Sequence, residues 1–98
     1  QQPTPSKNYL VRETGQFKRS LRRSKKRGHD MSQLERVIEL LASGGQLPPE
    51  FLKHPLHGEY KDYWECHLSF DWVLIWKQDD KKRVITLFGL GSHSELFD

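Results

Sequence analysis

Between residues 60 and 90 the chain alternates stretches dense in Tyr, Trp, Val, Ile, Leu and Phe with short polar breaks, and few folds accommodate that pattern. Segments 60–68, 72–77 and 83–90 read as strands, with turns at Ser69–Asp71 and Gln78–Lys82. Connections this short cannot carry a crossover, so they predict an antiparallel meander. Gly91 breaks the last strand, and Ser94 to Asp98 suffices for no more than one helical turn.

Ahead of Pro48-Pro49 the pattern is helical. Phe17 and Leu21, four apart, put a narrow apolar stripe on a helix over about residues 14–27, closed by Gly28. A second helix carries Leu34, Val37, Ile38 and Leu41 on one face and ends at Gly44-Gly45. Ser32 and Glu35 fit a capping box at its start, with Asp30 as the alternative cap. The short loop Gly28–Asp30 favours an antiparallel helix hairpin. Tyr9–Arg12 can add a strand. The expected architecture is α+β: an N-terminal antiparallel helix pair on one face of a small antiparallel sheet. A flexible tail is expected over 1–6, which carries Pro3 and Pro5, and a single domain over 7–98.

Composition narrows the function classes. With 98 residues, 35% hydrophobic and 30% charged, the chain suits one domain with a small core, and 11% aromatic residues argues against a disordered polyelectrolyte. No apolar run approaches the ~20 residues that cross a bilayer, and nothing reads as a secretory signal. Cys66 is alone, so an internal disulfide and a multi-cysteine zinc site are excluded. These features predict a soluble, cytoplasmic protein with no membrane partner.

Charge is unevenly spread. Lys18, Arg19, Arg22, Arg23, Lys25, Lys26 and Arg27 fall within eleven residues that hold no acid, while the remainder has nine basic and thirteen acidic residues. A basic block on an otherwise acidic small protein is an electrostatic footprint for phosphate, and nucleic acid is the leading reading over a merely solvated helix face.

Strand alternation supplies the second functional lead. Over 63–68 it puts Tyr63, Glu65 and His67 on one face and Trp64, Cys66 and Leu68 on the other. A carboxylate thus neighbours an imidazole, with Asp71 at the next turn, His93 beyond the last strand and His54 ahead of the first. Such a set supplies acid–base chemistry near neutral pH without a metal. His57 and His29 read as loop and surface residues. The His54–His57 spacing is a poor metal signature, because no HExxH is present and Pro55 implies a loop.

These motifs together carry a resemblance. Phe17-Lys18-Arg19-Ser20-Leu21, Lys25-Lys26-Arg27-Gly28, His54-Pro55-Leu56-x-Gly58, Glu65-Cys66-His67, Asp71-Trp72 and Gly91-Ser92-His93-Ser94-Glu95-Leu96-Phe97, in that order, resemble the YafQ branch of the RelE-like bacterial toxins. The resemblance covers the chain from about Tyr9 onward. It implies a compact, microbial-RNase-like α+β fold and a cytoplasmic toxin that cuts mRNA in the ribosomal A site without a metal or other cofactor. It further implies a cognate antitoxin, DinJ-like and of the ribbon-helix-helix kind, with the ribosome and mRNA as the other partners. By the same resemblance His54, Glu65, His67, Asp71 and His93 form the catalytic set; within it we assign His67, supported by Glu65 or Asp71, as base and His93 as acid, with His54 able to exchange roles with either. Trp72 and the C-terminal aromatic Phe97 join the basic block as RNA contacts.

Two departures from the family pattern stand out. Gly89 occupies the position of an arginine suited to clamping phosphate, and Trp64 precedes Glu65 where an arginine is usual. Arg83 or a side chain of the basic block is a candidate substitute for the missing cation. The alternative to an active nuclease is therefore a catalytically weakened or silent relative that binds RNA or an antitoxin.

Overall fold

The computed structural model describes residues 8–97, so the expected tail over 1–6 lies outside the described residues. Strand β1 (Leu10–Glu13) leads into helix α1 (Gly15–Lys26) and helix α2 (Met31–Ala42). Strands β2 (His54–Pro55), β3 (Tyr63–Ser69), β4 (Trp72–Asp79) and β5 (Val84–Gly91) follow, then a short helix α3 (His93–Phe97). Among the described residues no helix is long and apolar enough to cross a membrane.

Local chemistry sets the helix ends. Thr14 caps α1: its hydroxyl accepts from Phe17 N at 3.0 Å and lies 3.3 Å from Phe88 O, tying the helix start to β5. Asp30, rather than Ser32, caps α2 by accepting from Ser32 N at 3.0 Å. Gly28 then turns the chain with φ of 79°, a conformation closed to most side chains.

The strand order is β1-β5-β4-β3-β2. Strands β2 to β5 pair antiparallel, as the meander pattern implies, but β1 runs parallel to β5 from Leu10↔Val84 to Glu13↔Leu87. The sheet is therefore mixed rather than antiparallel throughout. A second correction concerns His54 and Pro55, expected in a loop. They form a two-residue edge strand pairing His54 with Glu65 and Pro55 with Trp64. An edge is where a sheet tolerates proline, since no ladder donor is needed on its outer side.

One face of the sheet holds the core. Cys66 and Leu68, Trp72, Leu74 and Trp76, and Ile85, Leu87 and Leu90 pack with Phe17 of α1 and Leu34, Val37 and Leu41 of α2. The bulge between Ile75 and Trp76 leaves Phe88 outside the ladder, so Leu87 and Leu90 both reach this face. The opposite face carries the cross-strand rows His67–Val73–Gly91 and Glu65–Ile75–Gly89. That second face receives α3, with Leu96 over Gly89.

The α1 stripe that meets the sheet is small and partly polar, because Ser20 and Ser24 are buried beside Phe17. Ser24 has a specific task there: its hydroxyl accepts from the Trp72 indole Nε1 at 3.0 Å, and Trp72 is 1% exposed. Removing a partner from a buried donor costs about 1–3 kcal/mol. Ser24→Ala is expected to destabilise the fold by that amount in urea unfolding. The Ser24→Ala/Trp72→Phe pair should cost less than the sum of its single changes, since no buried N–H is left stranded.

Candidate active site

The site is organised around Glu65, which alternation on β3 places on the face opposite the core and which is 2% exposed. Three imidazoles surround its carboxylate. Nε2 of His54 lies 3.0 Å from Oε1, Nε2 of His67 lies 3.6 Å from Oε1, and Nε2 of His93 lies 3.4 Å away. Each arrives by a different route: edge pairing opposite Glu65 for His54, the next same-face position for His67, and the first turn of α3 for His93. A buried carboxylate is costly unless partnered, and these rings partner it.

The histidines are themselves oriented. Nδ1 of His54 lies 2.9 Å from Leu52 O, within the sharp turn where Leu52 adopts φ of 51°. Nδ1 of His93 lies 3.2 Å from Asp71 Oδ1, and the His93 backbone N–H donates to the same oxygen at 3.2 Å. Asp71 thereby fixes both the ring and the start of α3. Burial works against charging His93, but hydrogen bonds to Asp71 and Glu65, with their charges, raise its pKa above the ordinary value. The backbone and ring donors of His93 in turn lower the pKa of Asp71. Cys66, next to Glu65 in sequence but on the core side, is pushed up to about 12 by burial and then by the Glu65 charge, which keeps its thiol inert.

All five expected site residues, His54, Glu65, His67, Asp71 and His93, therefore meet in one cluster. Phe97 joins it at the rim, its ring 6.1 Å from that of His93 and 5.5 Å from that of Tyr60. Lys18, Arg19, Arg22, Lys25 and Lys26 are exposed along α1. Three expectations are corrected. Trp72 is buried, so it presents no face to RNA; its alternation with Leu74 and Trp76 was the signal for that placement. His29 is not a free surface residue, because its ring stacks on Trp72 at 4.4 Å and 4°. Arg83 sits at the opposite end of β5 from Gly91, roughly 20 Å from Gly89 at strand rise, too far to replace a cation there.

Glu95 is the residue that reading by strand and helix pattern missed. Ser92 and Glu95 form a reciprocal capping box: Glu95 N donates to Ser92 Oγ at 3.1 Å, and Ser92 N donates to Glu95 Oε1 at 3.0 Å. The S-x-x-E spacing was the available signal. The other oxygen, Oε2, pairs with Arg23 Nε at 3.1 Å and with Arg27 Nη1. The Ser92 backbone donor and both arginines lower the pKa of Glu95. Two members of the basic block thus hold down the helix that carries His93 and Phe97. Gly91 leaves room for the Glu95 carboxylate: a Cβ there would come within 2.8 Å of Glu95 Oε1, and the side chain would have to shift.

The cluster offers two chemistries. Imidazoles with different partners suit proton transfer, and the raised His93 pKa favours the charged form of that ring. One donor atom each from His54, Glu65 and His67 also lie within 4.8 Å of one another, which is close enough to hold a metal ion.

The family model described as the bacterial toxin of a type II toxin–antitoxin system, YafQ, matches residues 9–98. The mRNA interferase toxin YafQ of Escherichia coli strain K12 is 34% identical over 85 residues, covering 86% of this chain and 90% of the relative. An E. coli DinJ–YafQ complex contains a chain that superposes with a TM-score of 0.85 at 30% identity, covering 93% of this chain and 100% of that one. A metal-bound toxin from Helicobacter pylori superposes with a TM-score of 0.85 at 36% identity, covering 91% of this chain and 99% of that one. With the family pattern running from Tyr9 to the C-terminus and its histidine–carboxylate cluster assembled on the sheet, this chain belongs to the YafQ family of type II toxin–antitoxin toxins.

Proposed function

We propose that the protein is an mRNA interferase: a cytoplasmic endoribonuclease that cuts mRNA in the ribosomal A site and is neutralised by a cognate antitoxin. The observation that carries this reading is the nearly buried Glu65 carboxylate ringed by the Nε2 atoms of His54, His67 and His93. Family membership and the E. coli relative's activity support it. The E. coli DinJ–YafQ complex supports an antitoxin partner, for which a ribbon-helix-helix protein of the DinJ kind is the expected form. The single domain over 7–98 and the exposed cations of α1 fit docking on ribosomal and messenger RNA, since paired phosphates release counterions.

In the proposed reaction His67 removes the ribose 2′ proton, and the 2′ oxygen attacks the adjacent phosphorus. The bond to the 5′ oxygen breaks as His93 delivers a proton to it, leaving a 2′,3′-cyclic phosphate and a free 5′-hydroxyl. The contact from His93 Nε2 to Glu65 is long at 3.4 Å, so that nitrogen can turn to the leaving oxygen while Nδ1 stays on Asp71. His54 Nε2, 3.0 Å from Glu65, partners the carboxylate and holds it in place under the two reacting rings. Expression with and without the antitoxin, with growth measured and cellular mRNA 5′ ends mapped, tests the whole reading. His67→Ala and His93→Ala are each expected to lower cleavage by about 10²-fold or more, with EDTA leaving the parent rate unchanged.

The acid role has a pH signature. A raised pKa keeps His93 charged to higher pH, so cleavage should fall on a limb above the ordinary histidine value of about 6.5. Asp71→Asn removes the charge that favours the imidazolium, and the limb should move to lower pH; an unmoved limb assigns the acid elsewhere.

The catalytically silent alternative rests on Gly89, which lies in the Glu65–Ile75–Gly89 row. A Cβ there would meet Leu96 Cδ2 at 2.9 Å, so an arginine needs that flexible methyl to move. Arg23 and Arg27, which α1 brings to Glu95, are nearer cations than Arg83. One preorganised donor is worth about 10²–10³-fold in rate. Gly89→Arg/Leu96→Ala is therefore expected to cleave at least 10-fold faster than Leu96→Ala alone, with both variants checked for native thermal midpoints.

A further inference from the structure

The tip of the β3–β4 hairpin carries a feature that the proton-transfer cluster leaves unused. Ser69 pairs with Trp72, so Phe70 and Asp71 form a two-residue turn. Phe70 is 98% exposed, the most exposed of the large apolar side chains. Asp71 adopts φ of 50°, an uncommon conformation for a residue with a side chain, and its carboxylate is held by two donors of His93. The contact that orients His93 therefore also fixes the turn that projects Phe70.

Phe70 stands at the lip of a groove of about 580 Å³ that contains His67, Asp71 and His93 at one end. Buried Phe51 and exposed Leu52 contribute the apolar wall, and Gln33 and Glu50 lie on the polar side. That volume is in the range of sites for compact organic groups. Two carboxylates line the groove, each with a partner: Arg36 Nη1 lies 3.9 Å from Glu50, and His93 holds Asp71. Away from the histidines the lining offers an apolar wall, an amide and a carboxylate, which suit a flat ring with amino groups on its edge. Single-stranded nucleic acid supplies such rings, and proteins hold them by stacking on exposed aromatics.

We propose that this groove is a base subsite for the nucleotide next to the scissile phosphate, with Phe70 stacking on the base and Glu50 and Gln33 reading its amino edge. The proposal rests on the nuclease reading above, because continuity with His67 and His93 is what makes RNA the occupant. Phe70 acts as a positioning residue for substrate, not as a proton donor or acceptor.

The test measures both cleavage and binding, using programmed ribosomes that carry each of the four bases beside the cut. Stacking on one aromatic is worth roughly 5- to 150-fold per base. Phe70→Ala is expected to lower kcat/KM by that factor, chiefly through KM, with an unchanged thermal midpoint because the ring is exposed. Phe70→Tyr should restore it. Glu50→Gln should alter the ranking of the four bases by several-fold. Binding to ribosomes with a 2′-O-methylated A-site codon gives a readout that does not require cleavage. If the parent never cleaves, the nuclease reading fails; Phe70→Ala must still weaken this binding for the subsite to stand. Equal binding and equal base ranking in parent and Phe70→Ala overturn the proposal. So does a Phe70→Ala protein that cleaves normally but loses its antitoxin, which would assign the groove to the protein partner.

Discussion

A carboxylate held almost out of water beneath three imidazoles is the constraint from which the rest of this fold can be understood. Glu65 is 2% exposed, and a buried charge without partners is among the costliest features a protein can contain. Its partners come from three separate elements, so the cluster links the edge strand β2, the central strand β3 and helix α3. The two-residue β2 brings His54 opposite Glu65. The opening turn of α3 brings His93 over it, with Asp71 on the other side of that ring. The geometry that relieves the buried charge also assembles imidazoles with different environments, as acid–base chemistry requires.

The basic helix serves this arrangement as well as presenting charge. Its inner stripe is built from Phe17, Ser20 and Ser24, small enough for the helix to lie close to the sheet and polar enough to satisfy the Trp72 indole. His29, just beyond the helix, covers the outer face of that indole. At the same end Arg23 and Arg27 engage Glu95, which closes a capping box around the start of α3. The positive block therefore divides into two groups. Lys18, Arg19, Arg22, Lys25 and Lys26 are exposed, and Arg23 and Arg27, themselves about half-exposed, also pair with Glu95 of the segment bearing His93 and Phe97. A run of like charge is tolerable when part of it is neutralised by an acid from a distant segment.

The two faces of the sheet have separated tasks. Bulky Trp72, Leu74 and Trp76 fill the core side of β4, while Val73 and Ile75 floor the site on the other. Gly89 and Gly91 put no side chain on that face of β5, leaving room for Leu96 and for the Glu95 carboxylate. Without a side chain at 89, Leu96 of α3 seats directly against β5.

Much of this was legible in the sequence. Period-two alternation gave three of the strands and put Glu65 with His67 apart from Cys66 and Leu68; Gly28 marked the helix junction, with Asp30 the second choice of cap after Ser32, and the ordered motifs picked out the five residues that meet around Glu65. The strand and helix signals are local, read within a few residues of one another, whereas the motif order is read along the whole chain. Only the tertiary structure paired β1 parallel to β5, made a strand of His54-Pro55, joined His93 to Asp71 across 22 residues, and brought Arg27 to Glu95 across 68. It also decided that Phe70 stands 98% exposed at the hairpin tip, two positions from Trp72, whose burial the alternation with Leu74 and Trp76 already signalled. The physical reason is common to these cases. A strand or helix carries its own periodicity and caps, but which edge it pairs with and which face it covers depend on the burial and charge compensation available once all the elements meet.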